Sequence, residues 1–407
     1  EEKIFARFSK VIDLLKKNDI NFSRQTNAYD VVIVIKASDW DIAKVNLTFV
    51  KRNLNPKQII VISQKELKEN LESFQDITFI DENLLFPELN FNKIKDLLAQ
   101  RGVDQNLAGW YLQQFLKLSY SFVCKDEYYL TWDADTIPLN KINMIDEKNG
   151  KPFFDMKPEF IEPYFSTIRN LFSFEKKEPE SFIAEHMLFK TSIVQEMLNS
   201  IKTSEQPFFE VIIDKTDFSK IDHSFSEFET YGTYCEYKYP NLYSKRHLQT
   251  FRAGKMFLGA NPSYSTLKWV SKCFDTLSFE FPQQINTIAE ELSRNFTFRS
   301  DYCFTDFVKN IVFFDNLLDN EIFNAEDAAV KMDFLLLKKP IYIENKQTLR
   351  LNRISGFIKT DKAEVTKPCN FKARIKRSLL FKCLRAITPS FIRKFLKKVY
   401  RIIKSSL

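Results

Sequence analysis

Residues 128–138 read YYLTWDADTIP, an aromatic and apolar run that stops at two aspartates. The run predicts the end of a buried β-strand, in which side chains at i and i+2 project on the same side. Asp133 and Asp135 are therefore expected to project together, where their charges repel unless a cation lies between them or one binds a proton. Carboxylate oxygens select Mg²⁺ or Mn²⁺, ions that keep positions for water and phosphate groups. The alternative is a polar strand end with two solvated aspartates.

Upstream, strands alternate with helices. Continuous β-branched runs at 30–36, 58–63 and 77–81 predict strands covered on both faces, with helical stretches at 41–53 and 65–74 between them. This alternation predicts a parallel sheet with right-handed crossovers. Ligands of such sheets bind beyond the carboxyl ends of the strands. The rim at the end of the first strand is therefore expected to lie near the two aspartates, and its polar residues are Lys36, Ser38 and Asp39.

Helical spacing is clear at 109–118, which precedes the aspartate-containing strand. Its apolar side chains form a core stripe, while Gln113, Gln114 and Lys117 lie on or beside the polar face, with Gln113 next to Lys117 at i,i+4. One interpretation is a solvated helix face. The other is that this face points at a nucleotide diphosphate.

Further elements are predicted downstream. Residues 142–154 are interpreted as a hairpin with Asn149-Gly150 as the turn. Residues 181–200 are expected to form a helix, or a loop and a helix, opening at Glu185-His186, and residues 246–258 a pair of strands.

These segments, in this order, resemble the GT-A fold of nucleotide-sugar-dependent glycosyltransferases, over roughly residues 28–260. The segments that carry the resemblance are Val31–Ser38, Gly109–Gln114 with Trp110 and Lys117, Leu130–Thr136 and Phe225–Gly232. The chain is similar to a family of bacterial enzymes found near surface-polysaccharide genes. The resemblance implies that Asp133 and Asp135 bind Mn²⁺ or Mg²⁺ and the donor diphosphate, and that the 36–39 rim belongs to the nucleotide site.

Transfer of a sugar also requires a base for the acceptor hydroxyl. Glu227 and Glu229 lie among aromatic residues, where burial raises a carboxylate pKa and where sugar rings stack. The alternative is a surface strand in which Glu and Phe alternate. Glu185 is a further catalytic candidate, and His186 a donor or acceptor contact, unless the pair only begins a helix. His247 is either a third metal ligand or part of a solvated basic strand.

Composition narrows the possibilities. Of 407 residues, 44% are hydrophobic and 28% charged, as in ordinary globular proteins. Six scattered cysteines without CxxC spacing and three histidines argue against a zinc site, and they fit a reducing compartment. No apolar signal segment and no membrane-spanning run is predicted.

The net charge of +7 is concentrated in one tail. Residues 371–407 contain twelve Lys or Arg and no Asp or Glu, so the rest of the chain carries −5. The apolar residues of the tail recur at helical spacing on both sides of Thr388-Pro389, where Pro fits the first helical position. Basic amphipathic helices bind anionic membrane surfaces. Nucleic-acid binding is disfavoured because the acidic body offers no further phosphate-binding surface.

The sequence therefore predicts an α/β, GT-A-like fold with a mixed, mainly parallel sheet flanked by helices. The predicted parts are a helix and linker at 1–29, a catalytic domain at 30–345, a linker at 346–370 and membrane-association helices at 371–407. The predicted activity is metal-dependent sugar transfer from a nucleotide-sugar donor to a lipid-linked glycan of lipopolysaccharide or capsule, on the cytoplasmic face of the cell membrane. The alternatives are a sugar nucleotidyltransferase, although no glycine-rich loop follows the first strand, and a non-catalytic membrane-bound scaffold.

Overall fold

A computed structural model describes residues 28–280 except 73 and 75, residues 283–294 and 303–308, and a strand at 341–343. The predicted N-terminal helix lies almost wholly outside these residues. The linker 346–370 and the basic tail 371–407 lie entirely outside them.

Strands and helices alternate through most of the described chain. The strands are β1 Asp30–Ile35, β2 Ile59–Ser63, β3 Ile77–Asp81, β4 Tyr128–Trp132, β5 Thr136–Pro138, β6 Phe153–Asp155, β7 Glu159–Ile161, β8 His186–Lys190, β9 Ser244–Arg246, β10 Thr250–Phe251, β11 Thr276–Ser278 and β12 Ile341–Ile343. The α-helices are α1 Trp40–Asn53, α2 Lys68–Leu71, α3 Phe91–Gln100, α4 Ala108–Ser119, α5 Glu162–Phe172, α6 Thr191–Ile201, α7 Phe208–Lys215, α8 Glu227–Lys238, α9 Gly254–Leu258, α10 Tyr264–Val270 and α11 Thr287–Arg294.

The central sheet has five strands in the order β3-β2-β1-β4-β8. The first four are parallel and β8 is antiparallel to β4. The sheet is therefore mixed and mainly parallel, as the sequence predicts. The predicted strands at 30–36, 58–63 and 77–81 and the helices at 41–53 and 109–118 are confirmed within one or two residues.

Helices cover both faces of this sheet because the buried strands alternate their side chains. Val31 and Ile33 pack with Leu47 of α1 on one face. Val32 packs with Phe115 of α4 on the other. Each strand side chain buried in this way contributes roughly 1.5–3 kcal/mol.

A third apolar core lies beside the central sheet. The small sheet β10-β11-β5 packs there with α9, α10 and the helical residues 304–308, and with Val45 and Phe49 from α1. Because β5 follows β4 after three residues, this core begins next to Asp133 and Asp135.

The prediction for residues 181–200 is wrong in its first half. His186–Lys190 forms β8, and α6 follows at once. A five-residue apolar run is too short for its spacing to separate strand from helix. Pairing with β4 decides it as a strand.

Two other predictions hold in part. The turn at Asn149-Gly150 is present, with Gly150 at φ +70°, but only one antiparallel bridge, Ile145 to Pro152, joins its arms. In 246–258 the strands are short, and Gly254–Leu258 is a helix. In the part of the chain described, no helix has the length and apolar character needed to cross a membrane.

Candidate functional site

The two aspartates lie at the topological switch point of the central sheet. Strand β1 lies between β2 and β4, so the chain leaves β1 toward one side and returns at β4 on the other. Open α/β sheets bind ligands at this point, beyond the carboxyl ends of the strands. Asp133 follows β4, and the 3₁₀ turn Ala37–Asp39 follows β1 at the same edge. Lys36 and Ser38 are exposed there, and the Ser38 hydroxyl donates to Asp39 Oδ1 at 2.9 Å.

The backbone of the acidic turn, residues 133–136, is held from several segments. The amide N–H of Asp133 donates to the carbonyl of Glu185 at 2.9 Å, and the N–H of Phe279 donates to the carbonyl of Asp135 at 2.9 Å. The side-chain amide of Asn46, on α1, donates to the carbonyls of Asp133 and Ala134 at 2.9 and 3.1 Å. The turn is thus fixed before any ligand arrives.

Lys117 is a buried cation that contacts the acidic turn directly. Its Nζ lies 2.6 Å from Asp133 Oδ1 and 2.7 Å from Glu227 Oε1, and its side chain is 3% exposed. Burial alone lowers the pKa of Lys117, but the charges of Asp133 and Glu227 outweigh burial and raise it above the ordinary value. A solvated face at Lys117 is therefore wrong. The spacing of apolar residues in α4 does not reveal the burial of Lys117, because its partners Asp133 and Glu227 lie on distant segments of the chain.

Glu227 begins α8, whose N-cap is Ser226. The Glu227 backbone N–H donates to Gln114 Oε1 at 3.1 Å, and Gln114 is buried beside it. Burial raises the pKa of Glu227, Lys117 lowers it and Asp133 raises it further, so that it lies above its ordinary value. The alternative of a surface strand at 226–230 is wrong, because the Ser226 cap starts a helix.

Asp135 carries the clearest electrostatic strain. Burial raises its pKa, and the charges of Asp133, Glu280 and Glu185 raise it further, to about 7, against the opposing charge of Arg252. Negative charge is therefore concentrated around this carboxyl group. A cation placed there relieves it.

Glu185 lies beside the acidic turn in a left-handed backbone conformation, φ +58°. Its side chain is buried, and neither oxygen accepts a hydrogen bond from any described residue. Two cations approach it: Arg252 Nε lies 3.1 Å from Oε1, and Lys157 Nζ lies 3.7 Å from Oε2. Arg252 also pairs with Glu280 at 2.7 Å.

Several residues of this cluster are absent from the sequence prediction. Lys157, Arg252 and Glu280 stand alone in segments without a motif, and only the fold brings them together. Asn46 carried a usable signal, because it is a polar residue on the apolar face of a helix, next to Leu47.

His186 lies behind the turn in the core. Its ring stacks on Trp132, with centroids 4.4 Å apart and planes at 16°, and its Nε2 is 2.8 Å from Asp155 Oδ2. Asp155 also accepts from Arg246 Nε at 2.6 Å. Burial raises the pKa of Asp155, but His186 and Arg246 outweigh it and lower the pKa to about 2. His186 is thus buried between Trp132 and Asp155, and its predicted contact with donor or acceptor stays a prediction.

The remaining candidates lie in other contacts. Glu229 is buried, pairs with Lys176 and accepts from Ser181 Oγ at 2.8 Å and from the backbone N–H of Phe182 at 3.1 Å, so both oxygens hold the 176–182 loop. Trp110 and Gln113 are half-buried on α4, and the Trp110 ring packs edge-on against the rings of Tyr111 and His223.

His247 is exposed and pairs with Glu180 at 2.9 Å. Across the residues that the structure describes, no three His, Cys, Asp or Glu side chains converge to hold a metal ion. His247 therefore does not complete a ligand set with Asp133 and Asp135 in this structure.

The sequence matches the protein family described as "Family of unknown function (DUF6492)" over residues 16–271. The chain belongs to this family. The matched region includes the acidic turn, Lys117, Glu185 and Arg252, and it ends before Glu280. No curated protein matches the chain.

Among solved structures, mouse xyloside xylosyltransferase 1 in its apo form is similar at 12% identity and a TM-score of 0.33, covering 63% of this chain and 99% of that one. The galactosyltransferase LgtC, in complex with donor and acceptor sugar analogs, is similar at 12% identity and 0.32, covering 67% and 95%. The apo bifunctional glycosyltransferase WbbM is similar at 12% identity and 0.34, covering 65% and 48%. TM-scores this low assign neither a reaction nor a site to this member of the family.

Proposed function

We propose that this protein is a GT-A-like glycosyltransferase that moves a sugar from a nucleoside-diphosphate donor to a lipid-linked glycan. The observation that carries the proposal is the acidic turn at the switch point of the sheet. Two carboxylates there face the edge where α/β folds bind phosphorylated ligands. The order of motifs in the sequence supports the same conclusion.

The charges around the turn fit a divalent cation. The cluster contains five carboxylates and three cations, which are Asp133, Asp135, Glu185, Glu227 and Glu280 with Lys117, Lys157 and Arg252. Among the described residues of this cluster, the carboxylates exceed the cations by two, which equals the charge of one Mg²⁺ or Mn²⁺ ion. Asp133 and Asp135 would hold the ion, with further positions filled by water and by the donor, as Mg²⁺ sites with one or two carboxylates usually are. When bound, the ion stabilises negative charge on the departing diphosphate as a Lewis acid.

The protein's own side chains prepare this site. Lys117 fixes Asp133 through Oδ1 and keeps Glu227 in place behind it. Because Glu229 is fully occupied by the 176–182 loop, Glu185 and Glu227 are the better candidates for the base that takes the acceptor proton. Glu227 has the raised pKa that a base requires. The carboxylate of Glu185 accepts no hydrogen bond from a described residue, although Arg252 and Lys157 lie beside it.

The acceptor is proposed from the tail. A basic amphipathic segment at 371–407 suits an anionic membrane surface, on which lipid-linked glycans are presented. We place the reaction on the cytoplasmic face of the cell membrane, with lipopolysaccharide or capsule precursors as the acceptor class.

Thermal melting tests the donor site. Wild-type protein is melted with UDP, GDP, ADP, CDP or dTDP, each with MnCl₂ or with EDTA. A ligand that binds only the folded state at about 100 times its Kd adds about 2.7 kcal/mol, which raises the Tm of a chain of this length by roughly 3–5 °C. We expect one nucleotide to do so in the presence of Mn²⁺.

Two variants make the test specific. Asp133→Ala/Asp135→Ala is expected to abolish the shift. Asp81→Asn, at the carboxyl end of the edge strand β3, removes a carboxylate from the same sheet away from the switch point and is expected to keep it. Cooperative melting without a shift for any nucleotide would reject the proposal in favour of a non-catalytic scaffold.

A further inference from the structure

Asn46 is a polar side chain in an apolar helix face. It lies on α1 beside Ala43, Leu47 and Val50, which pack on the central sheet, and it is fully buried. Its Nδ2 donates to the carbonyl of Asp133 at 2.9 Å and to the next carbonyl at 3.1 Å. A buried amide costs stability unless it is bonded. These two bonds satisfy the NH₂ group of Asn46, whereas its Oδ1 is buried without a hydrogen-bond partner among the described residues.

Those two carbonyls belong to the peptide units between the aspartates. Asn46 therefore ties both units to α1 and limits rotation of the segment that aims Asp133 and Asp135. The other hydrogen bonds to the backbone of residues 133–135 come from backbone groups of Thr136, Glu185 and Phe279 and so do not depend on side-chain identity at those positions. Two further side chains contact the turn elsewhere: Trp132 Nε1 donates to the carbonyl of Thr136, and Lys117 Nζ donates to the Asp133 carboxylate itself.

We infer that Asn46 is a positioning residue for the acidic turn, which sets the direction of the two carboxylates toward a divalent ion and a nucleoside diphosphate. This inference rests on the proposed function. Groups that orient ligand residues without touching the ion typically change metal affinity by about 10–100-fold when they are removed.

The same helix supplies a matched control. Asn53 lies seven residues later on the same face of α1, and its Nδ2 donates to the carbonyl of Pro138 at 2.6 Å. Both residues are buried asparagines that bond a backbone carbonyl of the chain after β4. Only Asn46 bonds within the acidic turn.

The experiment compares Asn46→Ala and Asn53→Ala with the wild type in the full chain. For each protein, Tm is measured without ligand, and the apparent Kd is taken from Tm against the concentration of MnCl₂ and of the nucleotide that stabilises the wild type. We expect both variants to lower the ligand-free Tm by similar amounts. Only Asn46→Ala is expected to raise the apparent Kd, by about 10-fold or more.

A second variant separates positioning from packing. Asn46→Leu keeps the branched shape of the side chain, with slightly larger terminal groups, and removes both hydrogen bonds, and we expect the same loss of affinity. Two results would overturn the inference on Asn46 but not the proposed function. These are wild-type Kd values in the Asn46 variants, or an equal rise of the apparent Kd in Asn53→Ala. Failure of both Asn46 variants to fold would overturn it too, since Asn46 would then be structural. A wild type that no nucleotide stabilises would overturn the proposed function as well.

Discussion

Replacing Lys117 by methionine removes the charge that joins the acidic turn to α8 and keeps the unbranched side chain at one atom less in length. The Nζ of Lys117 lies 2.6 and 2.7 Å from two carboxylates, and 3% of the side chain is exposed. The variant leaves these carboxylates close together without a cation. Removing one member of a buried ion pair costs about 3–5 kcal/mol. Because the Asp133 side chain is 25% exposed and reaches water, we expect a loss near the lower end, about 3 kcal/mol.

The measurement is urea unfolding followed by far-ultraviolet circular dichroism, with the midpoint and the slope compared between variants. The slope is expected to stay constant, because the unfolded surface does not change. The double variant Lys117→Met/Glu227→Gln measures the interaction free energy between the two side chains. In it, glutamine removes one of the two carboxylate charges that Lys117→Met leaves unpaired. We expect the double variant to recover about 1–2 kcal/mol relative to Lys117→Met.

Two results would refute this reasoning. A loss of less than about 1 kcal/mol in the free energy of unfolding of Lys117→Met would show that the ion pair contributes no more than a solvent-exposed salt bridge does. Strict additivity of Lys117→Met and Glu227→Gln would show that the two side chains do not interact.

Three further predictions concern Asp135, two helical glycines and the basic tail. The folded pKa of Asp135, about 7, lies above the unfolded value of 3.8, so the free energy of unfolding falls as pH rises between these two values. Asp135→Asn is therefore expected to stabilise metal-free protein by about 2 kcal/mol at about pH 8 and not at about pH 4; this is half the free energy equivalent to the pKa shift, because the side chain is half-buried. Equal gains at both pH values would contradict this. Gly232→Ala places a Cβ 2.3 Å from the Phe182 ring and is expected to lower the free energy of unfolding in urea by about 1–3 kcal/mol. Gly109→Ala places its Cβ 3.9 Å from the Phe91 ring, an ordinary contact, and is expected to raise the free energy of unfolding because alanine favours the helix. Reversing four charges of the tail is expected to abolish cosedimentation of the full chain with phosphatidylglycerol vesicles, because each basic residue contributes about 1 kcal/mol to binding. Phosphatidylcholine vesicles are expected to bind neither the wild type nor the variant. Unchanged binding to phosphatidylglycerol would rule out the tail as the membrane anchor. The reversed positions are Lys397, Lys398, Arg401 and Lys404.

The central sheet was predictable because its strands are covered on both faces. Runs such as 31–35 are apolar at every position, a pattern that surface strands and amphipathic helices do not share. The acidic turn followed from the abrupt end of such a run at Asp133. Strand order at the switch point then put the rim after β1 beside it.

Burial of charge was not predictable from local spacing. On a helical wheel Lys117 belongs to the polar side of α4, and its burial depends on Glu227, 110 residues away. Likewise Ser226-Glu227-Phe228-Glu229 alternates as a strand does, and only the hydrogen bond from the Glu229 N–H to the Ser226 side chain shows that a helix begins there.

The stack of Trp132 on His186 also has an optical consequence. Indole fluorescence responds to nearby charge, and this indole precedes Asp133 and donates from Nε1 to the carbonyl of Thr136 at 2.5 Å, so it touches both ends of the acidic turn. The other tryptophans lie at 40, 110 and 269. Subtracting the emission of Trp132→Phe isolates this signal. The protein therefore contains a label-free reporter for the arrival of a cation or a nucleotide at the turn.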